Sequence, residues 1–159
     1  MKQTLSLGIL AVISATALFL QPVAAEPPAP SPDGEWTFVT GKMGAGCTLR
    51  GAMTVKRKVD GTLACTFEAT WGCEARLPRS VVTQQTCTAK QSGSDVVISS
   101  KIAKIAKVDP PEMAVYMAEN YAADHFNVKI NARGDEMTGL FHSYGQASVI
   151  FRRKLDLIG

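Results

Sequence analysis

The sequence predicts an all-β, mainly antiparallel fold, an up-and-down barrel of about eight strands with one short helix. Three observations lead there. Apolar residues recur at every second position in successive short segments between Trp36 and Arg153. Turn compositions, among them Asp60-Gly61, Ser92-Gly93-Ser94 and Arg133-Gly134-Asp135, separate those segments. Only one stretch, following Asp109, carries the chemistry of a helix start. Closing such a series into a barrel removes exposed sheet edges; a two-sheet β-sandwich is the alternative.

The chain opens with a secretory signal over residues 1–25. Met1-Lys2 gives a short positive start, Leu5 to Leu20 is uncharged and apolar, and Val23-Ala24-Ala25 supplies small residues for cleavage. The apolar run falls short of the roughly 20 residues that span a bilayer, and no second such run follows, so no membrane span is expected. The short signal points to bacterial export, with a periplasmic or secreted location. Glu26 to Asp33 holds four of the eight prolines and little to bury, which reads as an extended, mobile leader over residues 26–33. The remaining 34–159 are of a size for one domain with one core.

Charge excludes some functions. The formal +3 of the whole chain falls to +2 when Lys2 leaves with the signal, which argues against a nucleic-acid binder. The densest basic run, Lys56-Arg57-Lys58, sits beside the Asp60-Gly61 turn and reads as a solvated hairpin tip.

From Trp36 the strand rhythm runs through Phe38 and, after a Gly-rich turn at 41–46, through Leu49, Met53, Val55 and Val59. A three-residue loop Asp60-Gly61-Thr62, with Gly left-handed, sets Val59 opposite Leu63 and puts Met53, Val55, Phe67 and Ala69 on one face. A further strand is expected over about 79–90, and another from Val96. Lys101, Lys104 and Lys107 recur every third residue with Ile102 and Ile105 between them, a pattern that fits a helix or a strand end. The helix itself is placed after Asp109 as cap, with Pro110 in the first turn, Glu112 at the positive end of the dipole and Met113 to Ala118 following. Strands resume at Phe126–Ile130, Met137–Phe141 and Ala147–Arg153.

Cys47, Cys65, Cys73 and Cys87 are even in number, lie in the exported part and contain no Cys-x-x-Cys pair, which favours two disulfides over a metal site. Three pairings are open by count. A reversal near Arg76 sets Cys65 opposite Cys87, and the hairpin register sets Cys73 diagonal to Cys47, so that pair is geometrically possible too.

Gly34-Glu35-Trp36 opens the first strand and Arg152-Arg153 ends the last. This resembles the calycin superfamily, the lipocalin, avidin and bacterial metalloprotease-inhibitor barrels, in which a Gly-x-Trp tryptophan packs under a basic residue of the final strand. The resemblance implies a barrel closed by Trp36 with Arg152 or Arg153, the guanidinium covering the indole. It differs from a simple lipocalin in placing its helix between strands.

Catalytic chemistry is sparse: no Gly-x-Ser-x-Gly, no His-Glu-x-x-His, and only His125 and His142, which late strands bring towards each other and Asp124. No enzymatic activity, metal or cofactor is therefore expected. Phe67, Phe126 and Phe141 read as core. Trp71, Tyr116, Tyr121 and Tyr144 fall in or near expected loops, where amphipathic rings at a barrel mouth suit ligand binding. The expected function is a periplasmic or secreted binding protein, its barrel interior or mouth holding a small apolar ligand, with 109–123 as cover. An inhibitor of an exported enzyme using the free leader, and a structural envelope protein, are the alternatives.

Overall fold

A computed structural model describes residues 28–154; the expected signal and the first leader residues, 26 and 27, lie outside the described residues. Eight antiparallel strands follow one another around a closed barrel. They are β1 (Gly34–Thr40), β2 (Thr48–Arg57), β3 (Leu63–Gly72), β4 (Ser80–Ser92), β5 (Asp95–Asp109), β6 (His125–Ile130), β7 (Glu136–His142) and β8 (Gln146–Arg153). One helix, α1 (Ala114–Asn120), interrupts the series between β5 and β6. The barrel, not the sandwich, is the fold.

The β2–β3 hairpin keeps the expected faces with a shifted loop. Arg57 pairs with Leu63, and Lys58 N–H donates to Thr62 O at 2.8 Å, so the three-residue loop is Val59-Asp60-Gly61. Gly61 takes the left-handed φ of 82° that this loop needs. Moving the loop by one residue moves the pairing by two, which preserves which side chains point inward. Met53, Val55, Phe67 and Ala69 are accordingly all buried, whereas Val59, expected as a strand position, is fully exposed at the tip.

β5 resolves the three-residue lysine spacing. Lys107 pairs with Val82 but Ile105 with Thr83, and Lys104 pairs with Gln84 but Ile102 with Gln85, so Ala106 and Ala103 are each an extra residue. Two successive β-bulges convert the period of two into three. Ile102, Ile105 and Val108 then turn inward while Lys101, Lys104 and Lys107 face water. The helix begins later than expected. Pairing of Asp109 with Ser80 holds it in the sheet, a 3-10 turn (Pro111–Met113) precedes α1, and no side-chain cap hydrogen bond forms.

The interior is filled. Phe126 lies in ring contact with Phe38, Phe67, Phe141 and Phe151 at centroid distances of 5.1 to 5.8 Å, edge-to-face or tilted. Trp36, Leu49, Met53, Ile98 and Met137 complete the core. Each such side chain contributes about 1.5–3 kcal/mol by leaving water. Close strand coiling around this core requires two glycines: a Cβ on Gly51 would collide with Glu68 O and the Phe38 ring, and one on Gly139 with Asn127 O. Phenylalanine rings occupy the centre of the barrel, where the sequence left open a ligand in the interior.

Both cysteine pairs are bonded, Cys47–Cys73 and Cys65–Cys87. Cys65 and Cys87 are direct cross-strand partners. Two disulfides suit an oxidising, extracellular or periplasmic compartment. No described helix is long and apolar enough to cross a membrane.

Candidate functional site

The two ends of the barrel differ in kind. At the first end, the leader and the C-terminal end of β8 meet. Arg153 stacks its guanidinium 4.3 Å from the centroid of the Trp36 ring. It also donates to the backbone oxygens of Gly134 (2.6 Å), Ser31 (2.8 Å) and Asp33. The Trp36 indole N–H donates to Pro32 O at 2.9 Å. Of the two arginines expected at Trp36, Arg153 covers the indole, and Arg152 points outward towards Glu136.

The leader is consequently not free over its described part. Arg57 Nη2 donates to Ser31 Oγ at 2.9 Å and Nε to Asp33 Oδ2 at 3.2 Å, while Gln91 donates to Pro30 O at 2.8 Å. Arg57, read from sequence as a solvated tip residue, is one of the groups that fasten it. Beside the leader lies an open cleft of about 890 Å³ between Pro28-Ala29, the β2–β3 loop and Leu63, Ala89 and Lys90.

The second end carries the expected ligand residues. Trp71 lies within β3 rather than in a loop, paired with Leu49 and Val81, and it joins the main core to a second apolar cluster. That cluster consists of Val81, Val108 and Met117, with Ile105, Met113 and Tyr121 against it, so α1 packs across this end through its one buried residue. Tyr121 caps the C-terminus of α1 and meets Tyr144 of the β7–β8 turn edge-to-face at 5.7 Å. Tyr144 pins the cover: its hydroxyl donates to Asn120 O and accepts from Ala122 N–H at 2.8 Å. Tyr116 is exposed on α1. All four aromatics therefore gather at the helix-covered end, Trp71 and Tyr121 in its packing and Tyr116 and Tyr144 at its surface.

Beneath the cover, apolar packing gives way to buried polar groups: Thr83, Gln85, Ser100 and Asp124. Asp124 is fully buried. Its Oδ2 accepts from Gln85 Nε2 (2.5 Å) and from the Tyr121 hydroxyl (3.2 Å), its N–H donates to Gln85 Oε1 (3.1 Å), and its carbonyl accepts from Ser100 Oγ (2.5 Å). Gln85 also donates to Thr83 Oγ1 at 3.0 Å. Oδ1 of Asp124 has no partner among the described residues. Ser143 lies beside the carboxyl, but its hydroxyl donates to Ala122 O at 3.1 Å. Burial raises the Asp124 carboxyl to about 6, against the lowering effect of hydrogen bonding from Gln85, Tyr121 and Ser143. Burial, and then the Asp124 charge, also raises the Tyr121 phenol.

Sequence reasoning passes over Thr83 and Gln85. Val81, Thr83, Gln85, Cys87 and Ala89 share one parity of β4, and two polar residues on an otherwise apolar inward face signal a buried network. His125 and His142 are direct cross-strand partners. His125 Nδ1 accepts Ser100 N–H at 3.1 Å, and His142 Nε2 lies 3.3 Å from Asn127 Nδ2. No group of three or more His, Cys, Asp or Glu able to hold a metal occurs among the described residues.

No protein-family model matches the chain, and no curated protein matches it. Among solved structures it is similar to a de novo designed fluorescence-activating β-barrel, with 15% identity, a TM-score of 0.46, and 77% of this chain and 93% of that chain covered.

Proposed function

We propose that this protein is a non-enzymatic binding protein of the periplasm or extracellular space that takes a small, largely apolar ligand at the helix-covered mouth of its barrel. The observation that supports this most is the carboxyl of Asp124, buried with one oxygen unused where the aromatic interior ends and the α1 cover begins. An unused buried acceptor costs about 1–3 kcal/mol, and native proteins keep such groups where something else completes them. Tyr121, which bonds Asp124, packs in one apolar cluster with Trp71, Met113 and Met117, and the methionines make that surface adaptable. The open cleft at the leader end has two cationic side chains in its lining, and one of them, Arg57, is already committed to Asp33 and Ser31. Inhibition of an exported enzyme by the leader is less supported, because Pro30 to Asp33 are bound to the barrel rather than extended from it.

Native mass spectrometry of the mature protein, purified unreduced from its own host, tests the reading. A copurified small molecule that is lost on Met117→Asp substitution is the expected result. A bare chain in every preparation, or a ligand retained in that variant, counts against it. A stoichiometric copurified protein favours the inhibitor reading.

A further inference from the structure

The unused oxygen of Asp124 says something about the ligand. A buried carboxylate is usually balanced by a cation, because isolated charge is costly in a low-dielectric interior. Asp33 also leaves Oδ1 without a partner, but Arg57 pairs with its other oxygen at 3.2 Å and its side chain is one-third exposed. Asp124 has neither compensation. No lysine or arginine pairs with it among the described residues; the groups packed near it are Thr83 and Gln85 of β4, Ser100 of β5, Tyr121 after α1, His125 of β6 and Ser143 of the β7–β8 turn, while the Arg76 charge acts on the neighbouring Tyr144. Gln85 and Tyr121 spend their donors on Oδ2, Ser100 and Ser143 donate to backbone oxygens, and Oδ1 is left without a hydrogen-bond partner among the described residues, with the Ser143 hydroxyl beside the carboxyl.

Tyr121, whose hydroxyl bonds the same carboxyl, links it to a group of aromatic rings. Tyr121 and Tyr144 meet edge-to-face, and Tyr121 and Trp71 pack in the same apolar cluster. Ring faces carry negative quadrupole charge and attract ammonium groups, and a carboxylate behind them completes recognition of an organic cation. We infer that the ligand taken at this mouth is an organic ammonium, its charged nitrogen received by Asp124 Oδ1 and its apolar part lodged against Trp71, Met113 and Met117. This rests on the reading of the helix-covered mouth as the binding site. The ammonium enters by displacement of α1 and the Tyr121–Tyr144 pair, and its hydrogen-bond donors then supply the partner that Oδ1 lacks. Binding favours the ionised carboxyl, so it strengthens as pH rises through the range in which Asp124 titrates.

The test compares three probes of one chain length, n-octylammonium, n-octanol and n-octanoate, by isothermal titration calorimetry and Trp fluorescence. At pH 7.5 octylammonium is expected to bind at least tenfold more tightly than octanol, with octanoate weakest. Octylammonium affinity is expected to fall up to tenfold per pH unit below about 6, a comparison that needs no variant. In Asp124→Asn the preference for octylammonium over octanol disappears. Equal affinity for octanol and octylammonium in the native chain, or a pH-independent octylammonium affinity, overturns the ammonium assignment while leaving the mouth as a site. Failure of all three probes to bind overturns the mouth reading itself.

Discussion

Replacing Asp124 by Asn removes a charge while keeping the shape of the side chain, and its effect on stability depends on pH in a way fixed by burial. The folded protein holds the Asp124 proton up to about pH 6, whereas the unfolded chain releases it near 3.8. Between those values the folded state binds more protons, so rising pH destabilises it. The penalty is absent below about pH 3.8, grows through the interval and is complete above about pH 7. Its full size is about 3 kcal/mol, at about 1.4 kcal/mol for each tenfold change in proton affinity. In the D124N variant the new amide oxygen inherits the bonds from Gln85 and Tyr121, and the amide NH2 takes the place of Oδ1. Urea denaturation of both proteins at pH 4 and pH 7.5 isolates the effect, since all other titrating groups are shared. The D124N protein is expected to gain about 2.5 kcal/mol relative to the native chain between the two pH values, since a small part of the penalty is already present at pH 4. A difference between native chain and variant that stays constant with pH means that Asp124 is neither buried nor perturbed, and the site argument fails with it.

Arg153→Ala should cost about 2–4 kcal/mol in urea denaturation, because it removes three backbone contacts and the cover of Trp36, while the outward Arg152→Ala should stay within about 0.5 kcal/mol; equal costs would refute the closure. Converting Cys47 and Cys73 together to Ser, or Cys65 and Cys87 together, should each cost about 3 kcal/mol, since they close loops of 26 and 22 residues, and unreduced mass spectrometry should show each double variant losing one bridge. Gly51→Ala and Gly139→Ala should each destabilise by more than about 2 kcal/mol, or abolish folding, whereas Gly44→Ala, which meets nothing within 4 Å, should be near neutral in thermal melts.

The barrel is legible in the sequence because its signal is the period of two, repeated often enough that single errors do not change the faces. The hairpin at Asp60-Gly61 illustrates this: its loop lies one residue earlier than the pattern predicts, yet Met53, Val55, Phe67 and Ala69 all face inward as expected. Lys101 to Lys107 is not legible as strand, because two bulges imitate helical spacing and only pairing with β4 distinguishes them. The fastening of the leader is equally hidden, since composition reports what a segment cannot bury, not whether Arg57, Gln91 and Arg153 bind its polar groups. The four aromatics gather at one end, and of the polar floor under them only Thr83 and Gln85, on the inward parity of β4, leave a local trace; Asp124 does not. Gln85 and Asp124 lie 39 residues apart and meet only when β4, β5 and β6 curve around the barrel.

The Arg153 contact joins the two ends of the barrel sequence, reaching Asp33 across 120 residues. A ribosome delivers residues in order, so Trp36 emerges before the rest of the barrel and waits for its cover until β8 follows. β1 cannot complete both of its ladders before β8 arrives, and the nascent chain meanwhile stays open and threadable. Putting the fastening on the last strand of the barrel delays closure until all eight strands are present.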